Sequence, residues 1–106
     1  MATSELEVEL RQALQRSLRH ALDEVLALPH GRVAREWTSE RLDGAVARCR
    51  GAIEGVRLFA SEYAELADEV SFSASSLRGA LHILGVCKEL EEEVNLIRDD
   101  LALYVS

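Results

Sequence analysis

Apolar positions fall into three blocks with helical spacing, and the middle block is the most regular. From Leu42 to Val70 one column reads Leu42, Cys49, Val56, Tyr63, Val70; a second reads Ala45, Ala52, Phe59, Leu66; a third reads Val46, Ile53, Ala60, Ala67. The register holds without a slip. A stripe three columns wide is the face of a helix buried against two or more others. It predicts a helix over about 39–70 at the centre of the fold.

The first block repeats leucine every four residues: Leu6, Leu10, Leu14, Leu18, Leu22, Leu26. At 100° per residue each step advances the stripe by about 40°, so the series sweeps roughly 200° around the helix. Ala21, Val25 and Leu28 fall within that arc. Such a helix crosses its neighbours obliquely or touches different partners at its two ends. Ser4 followed by Glu7 is a capping-box pattern, and Glu5, Glu7 and Glu9 suit the positive end of the dipole. The helix is predicted over about 5–28, ending before Pro29 because a residue preceding proline is pushed out of helical geometry.

Pro29-His30-Gly31 reads as a turn, and Arg32–Trp37 is ambiguous because Val33 and Trp37 lie off the seam that follows. Thr38 is the expected cap of the second helix, with Trp37 and Leu42 at hydrophobic-staple spacing. Phe72-Ser73 through Leu77 repeats that arrangement, so Ser73 is the expected cap of a third helix over about 74–105. Its seam has two columns, Ala80, Cys87, Val94, Leu101 and Ile83, Leu90, Ile97, Tyr104; Leu77, Leu81 and Leu84 broaden only its start. A strict two-column seam is what a coiled coil shows.

No Gly or Pro interrupts 70–76, so a tight hairpin and one continuous rod with a stutter are both open. The repeated cap and the serine cluster favour the hairpin. With its turn near residue 72, position 50 faces about 94 and position 57 about 87, which brings Arg48, Arg50 and Arg57 near Glu91, Glu92 and Glu93. The expected fold is all-α: a single domain over 1–106, an antiparallel three-helix bundle with a coiled-coil-like hairpin of helices 2 and 3. Its leftover apolar surface is expected to be completed by self-association or by a partner helix.

Composition agrees. The 106 residues are 48% hydrophobic and 29% charged, with one proline and five aromatics, a helix-forming rather than strand-forming mixture. The net charge of −7 lies in residues 58–106, while 1–57 sum to zero. With pI ≈ 4.9, binding to nucleic acid or an anionic membrane is disfavoured. No apolar run reaches the ~18–20 residues of a membrane span. The N-terminal residues lack a signal-peptide pattern, so a cytoplasmic location is expected, with the nucleus left open.

Candidate chemistry is sparse. Cys49 and Cys87 sit on seams, about 12 Å apart in the hairpin register and beyond disulfide reach; they read as small buried hydrophobes. His20 and His82 fall on polar faces and His30 in a turn. None has the preceding Glu of a diiron bundle, and there is no H-E-x-x-H. Glu89 to Glu93 and Asp99-Asp100 read as an exposed acidic face. Glu62 and Glu65 have the E-x-x-E spacing of MazG-like nucleotide pyrophosphohydrolases, which the chain thereby resembles; the Asp of that family's later E-x-x-D is not in place. Leu14 and Leu18 to Val25 are similar to the BH3 pattern of Bcl-2-family ligands, with Leu22 where a small residue precedes the Asp and Ala21 as one anchor. Length, a turn tryptophan and an alanine-rich second helix resemble the secreted WXG-type hairpins, but Trp37-Thr38-Ser39 lacks the Gly, Tyr63 lacks an acid four residues on, and a third helix is left over.

Three glycines, Gly44, Gly51 and Gly55, form a flat strip beside the second-helix seam. Each costs about 1 kcal/mol against alanine in a helix interior, and close approach by another backbone is the expected reason, with helix 1 slightly preferred over a separate subunit. Together with Leu10, Leu14 and Trp37 they are the interface candidates. No catalytic, cofactor-binding or metal-binding residue is assigned. The expected function is a non-catalytic interaction module, a structural or adaptor subunit of a homo- or hetero-oligomer. The alternatives are a small metal-dependent nucleotide hydrolase using Glu62, Glu65 and acids of helix 3, and a secreted helical-hairpin effector.

Overall fold

The computed structural model describes residues 2–70 and 72–105, with side chains from Glu5 onward. Three helices, α1 (Ala2–Leu26), α2 (Ser39–Glu69) and α3 (Ala74–Leu101), form a rod of 55 × 18 × 16 Å. No strand is present among the described residues. α2 is central, as expected: α3 packs along one side of it and α1 along the other, while α1 and α3 touch each other sparsely.

α1 begins at Ala2, so Ser4 lies inside the helix and is not its cap; the Ser4 side chain falls outside the described residues. The helix stops at Leu26, two residues before the predicted end. The Ala27 N–H makes a last helical bond to the Asp23 carbonyl (3.0 Å), the Leu28 N–H closes a tighter turn onto that of Val25 (3.2 Å), and Leu28 drops its side chain into the core. Gly31 takes a left-handed φ of +52°, which a side chain would disfavour. That turn starts a 3-10 helix over Gly31–Glu36, the segment left ambiguous by the hydropathy pattern, and it buries Ala34.

The predicted caps of α2 and α3 are made. Thr38 accepts the Arg41 backbone N–H at 3.1 Å and Ser73 accepts that of Ser76 at 3.3 Å. α2 closes with the Phe72 N–H reaching back to the Ala67 carbonyl at 3.0 Å, and the Phe72 ring lies 5.6 Å from that of Tyr63. The chain reverses here, so the hairpin, not the continuous rod, is what forms. Its register is within a residue of expectation: Arg50 donates to Asn95 Oδ1 at 2.8 Å. α3 is shorter than predicted. Asp99 and Asp100 load the negative end of its dipole, and beyond Leu101 the backbone turns, leaving Tyr104 exposed rather than on the seam.

The core follows the α2 pattern. Leu42, Cys49, Val56 and Tyr63 are buried, as are Val46, Ile53, Ala60 and Ala67. α3 contributes Ala80, Ile83, Cys87, Leu90, Val94 and Leu101. The remaining α2 column grades outward, from buried Ala45 to partly buried Ala52, Phe59 and Leu66.

Candidate interaction surface

The leucine sweep of α1 decides which of its residues remain available. Leu14, Ala21, Val25 and Leu28 take the seam against α2. Because the sweep carries each later leucine further round, Leu22 is 37% and Leu26 71% exposed. They continue the apolar track of the bundle, with Leu26 mostly uncovered and Leu22 partly so. Leu14, an interface candidate, is 2% exposed and belongs to the core. The BH3-like face is occupied for the same reason, since Leu14, Ala21 and Val25 are already packed.

On the other flank of α1, Leu10, Phe59, Glu62, Tyr63 and Leu66 line an open cleft of about 180 Å³. Leu10 lies at the edge of the core, partly buried. Beside the cleft runs the glycine strip. A Cβ at Gly51 or Gly55 would meet nothing within 4 Å, and one at Gly44 only the Arg48 guanidinium at 3.7 Å. The preferred close approach of helix 1 is therefore not made, because α1 packs on the Cys49–Tyr63 side of α2. Trp37 is partly buried, with the Arg41 guanidinium 3.9 Å over its ring.

The arginines predicted to face α3 divide among three partners. Arg50 does cross to α3. Arg48 turns to α1, 3.9 Å from Glu24, and Arg57 forms a fork with Glu54 one turn back on its own helix. The thiols behave as buried groups. Cys49 Sγ donates to the Glu24 carbonyl at 3.2 Å; burial, then the Glu24 carboxylate, raises its pKa above the ordinary value. Burial, then Glu91, does the same for Cys87.

No family model, curated protein or solved structure matches this chain.

His20, His30 and His82 are exposed. Glu62 and Glu65 are exposed too, and Glu62 faces the α1–α2 cleft, whereas Glu91 lies with Arg50, Glu54 and Asn95 on the α3 flank. Among the described residues no three His, Cys, Asp or Glu side chains gather as a metal-holding group. Trp37 sits in the α1–α2 connection, not at the α2–α3 hairpin. Sequence reasoning missed Leu22 and Leu26, although the 200° sweep was the signal for them. It also missed Leu58, 50% exposed, which lies outside every apolar column.

Proposed function

We propose that this protein is a non-catalytic helical interaction module, a structural or adaptor subunit that works by packing its helices against another protein chain. The observation that carries this reading is apolar surface continuous with the seams and left partly uncovered: Leu22 and Leu26 beyond the α1 seam, and the cleft of Leu10, Phe59 and Leu66 beyond the α2 seam. Isolated exposed leucines are ordinary; ones that extend a buried stripe mark a place where another apolar face fits.

The net charge of −7 disfavours nucleic acid and anionic lipid as the partner, and among the described residues no helix is long and apolar enough to cross a membrane. The reading places the module in the cytoplasm. Light scattering on the purified chain, followed by capture from an extract of its native cell and reconstitution with whatever is captured, tests it. The expected result is a mass above one chain, alone or with the reconstituted partner. A monomer that captures nothing overturns it.

A further inference from the structure

One heptad column of α2 reads Arg41, Arg48, Gly55, Glu62, Glu69, and all five residues are exposed. Its charge inverts about Gly55: arginines stand seven and fourteen residues before it, glutamates seven and fourteen after. The neighbouring positions invert in size in the same way. Gly51 and Gly44, four and eleven residues before Gly55, mirror Phe59 and Leu66, four and eleven after.

A helix face with this inversion matches itself when a second copy runs antiparallel across a two-fold axis, because positions equally far on opposite sides of the axis then meet. We propose that the exposed face of α2 is a self-association surface, on which two copies of this chain pack α2 against α2, antiparallel, about Gly55. Arg48 then opposes Glu62 of the second copy and Arg41 opposes Glu69, each twice by symmetry. Phe59 and Leu66 lie beside the small positions Gly51 and Gly44 of the second copy.

Glycines alone would leave the occupant unspecified; the charges select it. A parallel copy would set arginine on arginine and glutamate on glutamate, and a foreign helix would require no inversion within α2. The second half of α2 also needs an answer to its charge. Glu62, Glu65, Asp68 and Glu69 crowd the negative end of the helix dipole with no base in the last turn, an unfavourable placement that arginines of a second copy relieve. Among the described residues a Cβ at Gly51 or Gly55 would meet nothing within 4 Å, and one at Gly44 only the Arg48 guanidinium at 3.7 Å. Arg48 approaches Glu24 at 3.9 Å but keeps its side chain 63% exposed, and Arg41 lies over Trp37 while remaining exposed.

This inference rests on the interaction-module reading and narrows it to one occupant. Sedimentation analysis of the full chain tests it, with circular dichroism to establish that each variant is helical. Wild type sediments at two chain masses, more weakly as salt rises. Arg48→Glu and Glu62→Arg each place like charges together at both symmetric contacts and weaken the dimer by roughly tenfold or more. Mixed in equal amounts, the two variants dimerise again, because one contact becomes Glu against Arg and the other keeps its native pair. A monomeric wild type, single variants that dimerise like wild type, or a mixture no tighter than its components each overturn the proposal. A monomeric wild type that packs against a different, reconstituted protein overturns the second-copy occupant and leaves the broader reading standing.

Discussion

Glu7 lies 66 residues before Ser73 in the chain and 2.6 Å from its hydroxyl in the fold. The same carboxylate oxygen accepts the Ser73 backbone N–H at 3.1 Å and a hydrogen bond from the hydroxyl of Ser76, which is buried. Ser73 thus caps α3 while α1 supplies a carboxylate at the same helix end, where the dipole favours negative charge. This polar clasp fixes the first turns of α1 beside α3, where apolar contact between the two helices is thin.

The clasp makes stability depend on pH in a defined direction. Hydrogen bonds from the Ser73 side chain, then Ser76, hold the Glu7 carboxyl below its ordinary value of 4.5. A carboxyl depressed in the folded state contributes stability that is present above its unfolded value and lost as pH falls through the folded one. The excess melting temperature of wild type over Glu7→Gln should be constant from about pH 7 to pH 5 and shrink below about 4.5. An excess that stays level to pH 3 would show that Glu7 does not titrate against the serines.

Val56 has no exposed surface, at the centre of the α2 face. Val56→Asp buries a carboxylate with no partner, a change expected to exceed ~4–5 kcal/mol, close to the whole stability of a domain of this size. Circular dichroism should show no cooperative melt at room temperature and above. Phe59 differs, because it borders the open cleft. Phe59→Asp should keep a helical spectrum and a lowered but measurable transition.

Thr38 holds the first turn of α2 through one hydrogen bond to the Arg41 N–H. Thr38→Ala should destabilise by about 1 kcal/mol, a fall of about 4 °C or more in melting temperature, while Thr38→Ser should recover most of it. Equal melting of Thr38→Ala and wild type would remove the cap from the account of this boundary.

Gly51→Ala should stabilise the dilute, monomeric chain by roughly 0.5–1 kcal/mol, since alanine is the better helix former and its Cβ meets nothing within 4 Å. Melts at submicromolar concentration measure this apart from self-association. Destabilisation under those conditions would mean that something within the chain does cover the strip.

Neither thiol is exposed, and burial raises the pKa of both above the ordinary range. Since the thiolate is the reactive form, a thiol reagent near pH 8 should label neither cysteine on the timescale of a model thiol. Both should react at once in denaturant. Rapid labelling of native protein would place Cys49 or Cys87 outside the core.

The three helices and the faces they bury follow from patterns within the chain. The α2 columns, the caps at Thr38 and Ser73 and the α2–α3 register were all legible, because each is a local pattern or the consequence of one: a heptad fixes which face is buried, and a hydroxyl before a helical run satisfies that run's own N–H groups. What meets what at the surface follows from the assembled fold instead. Glu7 reads as a partner for Ser4 yet closes on Ser73 and Ser76, and Arg48 reads as a partner for α3 yet turns to Glu24. Leu14 becomes core while Leu26 is left outside. The physical reason is common to all four. A polar side chain takes whichever donor or acceptor lies within reach, and a sweeping apolar stripe is buried only where its angle meets a neighbour. Both depend on how α1 lies on α2, which no periodicity within either helix specifies.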